Sequence, residues 1–351
     1  MSNISLEKTR RVTLSDIARQ AGVSVSTASL VLADKAQERR ISQEATLRVR
    51  QAAVRLDYSP NLLVRSLQRG RTHVLSFFNG FRSRSPNDLY MDRLSTFIEQ
   101  EGGRLGYDIL VYCDYRRSAA ETYRYLNGGR SDGLLFLAPQ PGDPLLQALG
   151  ASRLPTVLIN GIEAEGMLSQ VRDDVESAME QVADTLFRLG HRRVAALTNT
   201  PNGNPDAGRR VELLVAALAS RGVTIPERWI VPADETHPGE AESVLRFLLS
   251  ETQPPTALFC WHDRLGYELL EHCETLDVSI PGQLSLIGYD GLYWPARTRH
   301  QLASVAVSLD SLAQSAVVLL DNLIAGKEEA PARKHLPVMF TPGTTLAAPR
   351  L

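Results

Sequence analysis

Residues 13–32 read TLSDIARQAGVSVSTASLVL, and they contain two short helical patterns separated by a glycine. Thr13 is suited to cap the first helix and Asp16 lies in its first turn, where a side-chain oxygen and a negative charge stabilise a helix N-terminus. Gly22 ends this helix, because a positive φ costs glycine little. Ser24 is suited to cap the second helix. The stretch therefore predicts a helix-turn-helix.

The apolar spacing predicts which faces of these helices pack. In each helix, residues three or four apart share one face. The inward residues predicted for the first helix are Leu14, Ile17, Ala18 and Ala21, and those for the second are Val25, Ala28, Val31 and Leu32. A third helix is predicted after the cap residue Ser42, with Ala45, Val49, Ala52 or Ala53, and Leu56 facing inward.

The rest of the second helix carries hydroxyl groups and no charge. Serine and threonine hydroxyls can reach phosphates or base edges, and methyl groups can meet thymine methyls. Residues 1–72 contain 13 Lys and Arg against 6 Asp and Glu, a formal charge of +7, so the remainder carries −9 of the total of −2. A basic region on an acidic body is typical of a nucleic-acid-binding module. A small structural bundle with a solvated basic face is the alternative.

Residues 58–72 read YSPNLLVRSLQRGRT and predict a short basic helix that begins at Pro60. Such a helix is too short to be stable alone. Its apolar residues include Val64 and Leu67, and arginines flank them. This composition suits a hinge that orders on DNA and inserts an apolar side chain into the minor groove.

Three segments, VTLSDIARQAGVSVSTASLVL, RISQEATLRVRQAAVRLDYSPN and VRSLQRGRT, resemble the head of the lactose-repressor (LacI/GalR) family of bacterial transcriptional regulators. The residues that the resemblance implies for reading bases are Val25, Ser26 and Leu30. Those implied for contacting phosphates are Ser24, Thr27 and Ser29. Those implied for the hinge are Asn61, near its start, and Leu67, which enters the minor groove beside Val64.

Two head positions depart from the family. Leu30 stands where many members carry arginine, so the guanine contact that arginine would make is missing. Val64 stands where alanine is usual. The operator sequence therefore cannot be transferred from relatives.

Short apolar runs alternate with helical patterns through residues 73–351. The runs HVLSFF, YDILVYC, DGLLFLA and PTVLIN, and then RVAALTN, WIVPA, TALFCW and LSLIGYD, are typical of buried parallel strands. Helices are predicted near 89–105, 118–127, 143–150, 207–221, 239–251 and 263–276. The fold class predicted is α + α/β, with the helical head, a hinge helix and two doubly wound α/β subdomains that face a cleft.

The resemblance continues through LGHRRVA, CWHDRLGYELL, IPGQLSLIGYDG and SLAQSAVVLLDNLIAG. It implies a body like that of periplasmic sugar-binding proteins, in which the chain crosses between subdomains three times. The predicted domains are a helix-turn-helix at 1–58, a hinge at 59–72, and an effector-binding and dimerisation domain at 73–351. Within the last, one subdomain takes about 73–171 and 305–334, and the other about 172–304 and 335–351.

Ligands of such folds bind at the carboxyl ends of strands. The cleft residues predicted there are Tyr90, Asn160, Arg210, Asp234, His262 and Asp290. The guanidinium of Arg210 suits hydroxyls or a carboxylate, and Asp290 suits a polyol; an ion pair for Arg210 and a structural role for His262 are the alternatives. Asp234 stands where relatives often place an aromatic platform, so stacking is expected from elsewhere, as at Trp261.

Several classes of function are disfavoured. The sequence holds no GxSxG segment, phosphate loop or metal-spaced cluster, so we expect no enzyme activity, no cofactor and no metal. The three cysteines are odd in number, which favours reduced thiols. No apolar run is long enough for a membrane span and no secretion signal is present, so we expect a cytoplasmic bacterial protein at the nucleoid, without a membrane partner.

These patterns predict a DNA-binding transcriptional regulator, most simply a repressor, in which two copies read a palindromic operator and a sugar-like effector controls binding. The chain ends at TTLAAPRL without a leucine heptad, so a homodimer is expected rather than a tetramer. One alternative is a cytoplasmic solute-binding or sensor protein without operator binding. Another is a regulator whose ligand strengthens DNA binding.

Overall fold

The computed structural model describes residues 12–59, 66, 70–80, 88–112, 116–161, 166–199, 203–233 and 239–350. The chain divides into two compact units, Met1–Thr72 and His73–Leu351. Four of the predicted functional residues lie outside the described part of the chain: Asn61, Val64, Leu67 and Asp234.

In the described part of the first unit there are three helices: α1 (Leu14–Ala21), α2 (Val25–Leu32) and α3 (Gln43–Arg55). The predicted cap of α1 is present as a reciprocal pair, since the Asp16 N–H donates to Thr13 Oγ1 at 3.3 Å and the Thr13 N–H donates to Asp16 Oδ2 at 3.0 Å. Gly22 ends the helix in the left-handed region with φ 61°. The predicted helix-turn-helix is confirmed.

The core of this unit lies between α1 and the two later helices. Ile17, Ala28 and Val31 are fully buried, as is Val49 of α3. The prediction that Val25 packs inward is wrong, because this side chain is 46% exposed. Val25 is the first residue of α2, and a helical side chain leans towards the N-terminus of its helix, so it points past the end of the helix rather than onto a neighbour.

The described residues of the second unit form two six-stranded sheets. The first has the order β11-β5-β4-β3-β1-β2, and every neighbouring pair is parallel. Its strands are β1 (Val74–Asn79), β2 (Asp108–Tyr112), β3 (Gly133–Leu137), β4 (Thr156–Ile159), β5 (Ser169–Asp173) and β11 (Arg333–Leu336).

The second sheet has the order β12-β10-β9-β8-β6-β7 and is parallel except that β12 runs antiparallel to β10. Its strands are β6 (Val194–Thr198), β7 (Ile230–Pro232), β8 (Ala257–Cys260), β9 (Ser285–Asp290), β10 (Ala303–Ala306) and β12 (Met339–Thr341).

Eight described helices cover the faces of these sheets. They are α4 (Leu89–Arg104), α5 (Ala119–Leu126), α6 (Pro144–Gly150), α7 (Val175–Leu189), α8 (Pro205–Ala219), α9 (Glu240–Leu249), α10 (Asp263–Thr275) and α11 (Leu309–Ile324). Separate apolar clusters fill the space between helices and each sheet. No helix in the described part of the chain is long and apolar enough to cross a membrane.

The chain passes between the two sheets three times, after β5, after β10 and after β11. The predicted pair of doubly wound sheets is therefore confirmed. The sequence did not predict β5, β10, β11 or β12, which are three to five residues long. The edge strand β11 reads RKHL and is half exposed, so it carries no apolar run that would mark a strand.

Candidate nucleic-acid interface and candidate ligand cleft

A cluster of hydroxyl groups marks the N-terminus of α2. The Thr27 N–H donates to Ser24 Oγ at 3.1 Å, and this oxygen also lies 2.8 Å from Ser26 Oγ and 2.8 Å from Thr27 Oγ1. Ser24 and Ser26 are exposed. A helix N-terminus with free N–H groups and hydroxyls is suited to a phosphate oxygen.

The predicted base-reading residues share the outer side of α2. Val25 and Ser26 are exposed, and Ser29 and Leu30 are half-buried. Leu30 is not among the described residues that pack against the core of this unit. The outer side is therefore uncharged and carries methyl and hydroxyl groups, which suit apolar contacts with thymine and hydrogen bonds to base edges or phosphates.

A cleft opens in the second unit, at the carboxyl ends of strands of both sheets. It has a volume of about 610 Å³, including the space at its open mouth. Five predicted residues line it: Tyr90, Asn160, Arg210, His262 and Asp290. The sixth, Asp234, lies outside the described residues.

The topology explains why these five residues meet. Asn160 directly follows β4, Asp290 ends β9, and His262 comes two residues after β8. Tyr90 lies in the first turn of α4 and Arg210 in the second turn of α8. The carboxyl ends of parallel strands share one edge of a sheet, and two such edges face each other here.

Arg210 is held by its neighbours, with 4% of its surface exposed. Its Nη1 donates to the Trp261 carbonyl at 2.6 Å and lies 3.8 Å from Asp290 Oδ1. Its guanidinium carbon is 3.6 Å from the centre of the Tyr289 ring. Its Nε has no hydrogen-bond partner among the described residues. The ion pair expected as an alternative is thus present.

Two carboxylates in the cleft have displaced pKa values. Burial raises the pKa of Asp290 to about 8, with Asp173 and Asp206 raising it further and Arg210 opposing them. Burial also raises the pKa of Asp206 to about 6, again against Arg210. The carboxylate of Asp206 accepts from the Gly161 N–H at 3.1 and 3.3 Å. This contact joins α8, which packs on the second sheet, to the residues that follow β4 in the first sheet.

The amide of Asn160 links two elements of the first sheet. Its Nδ2 donates to the Tyr90 hydroxyl at 3.1 Å and its Oδ1 accepts from the Asp173 N–H at 3.2 Å. Asp173 in turn accepts from the Tyr289 hydroxyl, which belongs to β9 of the second sheet. Asn160 therefore orients the Tyr90 ring at the cleft, and its backbone lies in the left-handed region with φ 54°.

His262 has a structural contact as well as a place in the cleft. Its Nδ1 accepts from the Leu265 N–H at 3.1 Å and so caps α10. The neighbouring Trp261 ring lies edge-on to it, with centroids 3.8 Å apart. The expected structural role of this histidine is thus present, and the ring still lines the cleft.

The sequence did not predict several residues of the cleft, among them Asp88, Asp206 and Trp294. A signal for Asp206 exists, because it lies four residues before Arg210 and therefore on the same face of α8. Trp294 has no such signal, since it lies in a loop after β9. The indole N–H groups of Trp261 and Trp294 are buried and have no hydrogen-bond partner among the described residues.

The described residues contain no group of three or more His, Cys, Asp or Glu that could hold a metal ion. Cys260 and Cys273 are buried and unpaired, and burial raises the pKa of both thiols.

Two family profiles match the chain. The profile described as bacterial regulatory proteins, lacI family, matches residues 13–61. That of the periplasmic binding protein-like domain matches residues 183–346. Together the two matches span more than half of the chain.

Curated relatives extend the likeness over nearly the whole length. The HTH-type transcriptional repressor PurR of Pectobacterium carotovorum is 28% identical over 324 residues, which are 91% of this chain and 92% of that protein. The ribose operon repressor of Escherichia coli K12 is 27% identical over 337 residues, 95% of this chain and 99% of the relative. Catabolite control protein A of Priestia megaterium is 25% identical over 311 residues, which are 88% of this chain and 91% of that protein.

Solved structures share the fold. The lac repressor dimer bound to operator and the anti-inducer ONPF superposes with a TM-score of 0.82 at 20% identity, covering 97% of this chain and all of that one. The complex of the transcriptional regulator CelR with cellobiose superposes with a TM-score of 0.67 at 22% identity. The superposition covers 95% of this chain and all of that one.

Proposed function

Because the chain belongs to the LacI family of bacterial regulatory proteins, we propose that its helix-turn-helix binds a palindromic operator and that a small molecule in the cleft controls this binding. The observation that carries the proposal is the pairing, in one chain, of an exposed uncharged helix face in the first unit with a polar cleft between two sheets in the second. Repression follows by analogy with relatives that are named repressors.

We assign the contacts of the head by resemblance. Val25, Ser26 and Leu30 face base edges in the major groove. The three residues assigned to phosphates are Ser24, Thr27 and Ser29. The hinge residues Asn61, Val64 and Leu67 complete the set in the adjacent minor groove. A dimer presents two such heads to the two halves of a palindrome, and the related lac repressor is a dimer on its operator.

The cleft holds the effector. Arg210 and Asp290 offer a donor and an acceptor to a hydroxylated molecule, and the Tyr90 ring offers an apolar face. A sugar or sugar derivative is the chemical class that fits these groups, as in the cellobiose complex of the related regulator. Control by a bound effector needs binding alone and no chemical step. A protein that binds its operator in this way acts at the bacterial nucleoid.

Control of DNA binding requires that the ligand favour one arrangement of the two sheets over another. Several contacts already join the sheets across the cleft. Gln140 Nε2 donates to the Gly203 carbonyl at 2.6 Å, and the Gly161 N–H donates to Asp206 at 3.1 Å. A ligand seated beside Asp206 changes the balance of these contacts, and residues 59–72 transmit the change to the head.

The test is binding of the full chain to a library of duplexes, titrated with salt, with and without a panel of sugars, sugar acids and nucleosides. We expect a palindrome to be enriched and its affinity to fall steeply with salt. We expect Ser26→Glu to lower operator affinity by about 100-fold or more, because it places a negative charge against phosphate.

The matched control for this variant is Ser220→Glu. It adds the same charge at an exposed serine of the second unit and should bind the operator like the unsubstituted chain. If no palindrome is enriched under any condition, or if both variants bind DNA equally well, the proposal fails. A solute-binding protein without operator contact then explains the chain better.

A further inference from the structure

The outer side of α2 carries four side chains and no charge. They are Val25, Ser26, Ser29 and Leu30. At about 3.6 residues a turn, the two apolar side chains lie at the edges of this stripe and the two serines lie between them. Val25 is 46% exposed, and neither Val25 nor Leu30 is among the described residues that pack in or against the core of the first unit. The stripe therefore presents two methyl-bearing side chains to whatever binds α2.

The hydroxyl groups of α2 distinguish poorly between bases. A hydroxyl both donates and accepts, so it can meet either a donor or an acceptor on a base edge. Ser26 Oγ also lies 2.8 Å from Ser24 Oγ, the oxygen that caps the helix by accepting from the Thr27 N–H. The helix holds no arginine, lysine, asparagine, glutamine or carboxylate side chain, and these are the groups that recognise bases by directed hydrogen bonds. Base selection by α2 therefore depends on its apolar groups.

The charged side chains of the described head lie on other elements. Three arginines of α1 and α3 form ion pairs: Arg19 with Asp16 at 3.5 Å, Arg48 with Glu44 at 3.3 Å and Arg50 with Asp34 at 2.9 Å. Lys35, Arg39 and Arg40 are exposed in the segment that follows α2. Cations of this kind strengthen the attraction to phosphates at every DNA sequence, and the selection made by α2 itself remains with its methyl groups.

We propose that α2 reads its operator through the C5-methyl group of thymine, with at least one thymine against Val25 or Leu30 in each half-site. This inference rests on the proposed function, since it names what the same helix recognises in DNA. Among the four bases only thymine carries a methyl group in the major groove. Val25 and Leu30 are five residues apart, about 7.5 Å along the helix, and base pairs are about 3.4 Å apart, so the two side chains face different base pairs.

Recognition of a methyl group has a consequence for modified DNA. A methyl group at C5 of cytosine projects into the major groove at the same place as that of thymine. The two bases differ beside it, since thymine presents an acceptor and cytosine a donor, and a hydroxyl such as that of Ser26 can meet either. We therefore expect 5-methylcytosine to replace part of the contact that thymine makes.

Other ways of reading DNA predict different results. A head that reads guanine needs an arginine or lysine at the base edge, and one that reads adenine needs an asparagine or glutamine. The helix α2 has none of these. Readout of groove shape depends on the deformability of the duplex, so it does not depend on whether residue 25 or residue 30 is large or small.

The test uses the full chain and the palindrome enriched from the duplex library. Each thymine is replaced in turn by deoxyuridine, which lacks only the methyl group, at the same position of both half-sites. At one or more positions, loss of a buried methyl contact in each half-site should lower affinity about tenfold. When that thymine is replaced by cytosine in a G·C pair, 5-methylcytosine should bind about threefold or more tightly than unmodified cytosine.

Two pairs of variants separate methyl contacts from changes in the duplex. Val25→Ala and Leu30→Ala shorten the side chains of α2. The variant whose side chain covers the methyl group should bind the thymine and deoxyuridine operators with affinities within about twofold of each other. This ratio does not depend on the fraction of folded protein, so a loss of stability cannot imitate the result.

The matched controls are Val54→Ala and Leu47→Ala. These side chains are 81% and 58% exposed on α3, which is not assigned to DNA. Both controls should retain the tenfold difference between the two operators.

The inference is overturned if deoxyuridine weakens binding by less than about threefold at every thymine, or if the enriched half-site contains no A·T pair. It is also overturned if the difference persists unchanged in both Val25→Ala and Leu30→Ala, or if 5-methylcytosine gives no gain over cytosine. A chain that selects a palindrome but ignores the methyl groups keeps the proposed function and loses this inference. A chain that selects no palindrome under any condition loses the proposed function itself.

Discussion

Asp290 lies at the end of β9, 7% exposed, with its Oδ1 3.8 Å from Nη1 of Arg210. Its pKa is raised from 3.8 to about 8, chiefly by burial. Between these two values the folded protein holds a proton that the unfolded chain has already released. The free energy of unfolding therefore decreases as pH rises through this range, because the folded state binds more protons than the unfolded state.

Asp290→Asn removes this proton linkage. We expect its free energy of unfolding to decrease less than that of the unsubstituted chain between about pH 5 and about pH 8, since asparagine does not titrate. Chemical denaturation at both pH values measures the difference. Asp184→Asn should follow the unsubstituted chain, because the Asp184 carboxylate is partly exposed and pairs with Arg188 on α7. Equal decreases for all three proteins would show that Asp290 has an ordinary pKa.

Two helices of the head, α2 and α3, begin in the same way. Ser24 caps α2 by accepting from the Thr27 N–H at 3.1 Å, and Ser42 caps α3 by accepting from the Ala45 N–H at 3.2 Å. Both serines are exposed. Their local contributions to helix stability are therefore alike, but only α2 is assigned to DNA.

Ser24→Ala and Ser42→Ala should each lower the stability of the head by about 1 kcal/mol, the usual effect of losing an N-cap. Only Ser24→Ala should also weaken operator binding by more than this loss of folded protein explains, because Ser24 is assigned to a phosphate. Thermal melts and operator titrations of both variants measure the two effects. Equal operator affinities would remove Ser24 from the interface.

Two sheets joined by three chain crossings form the frame of the second unit, and contacts across the cleft connect them. The Asp206 contact with Gly161 and the Tyr289 contact with Asp173 each pair a residue of one sheet with a residue of the other. A ligand in the cleft acts on both sheets at once, which is the physical basis for coupling the cleft to DNA.

For the whole molecule we expect a dimer that reads both halves of its operator. Sedimentation at micromolar protein should show a dimer, and a duplex with one half-site scrambled should bind about 100-fold or more weakly than the full palindrome, since several base contacts are lost. A stable tetramer, or equal affinity for half and full sites, would contradict this arrangement.

Local patterns in the sequence were sufficient for much of this description. The caps at Thr13 and Ser24 were predictable because capping depends on residues within one turn. The main strands of both sheets were predictable because buried parallel strands are continuous apolar runs. Asn160 and Asp290 were predictable as cleft residues because each lies where a predicted strand ends. Family resemblance added the roles in the head.

The tertiary structure alone decided what lies beside what. Trp294 comes from a loop and has no pattern of its own, and Asp206 meets Gly161 only because two sheets face each other. The polar edge strand β11 forms where β5 offers its backbone. The raised pKa values of Asp206 and Asp290 likewise arise from side chains far apart in the chain, because burial and electrostatic fields depend on distances in space rather than on positions along the sequence.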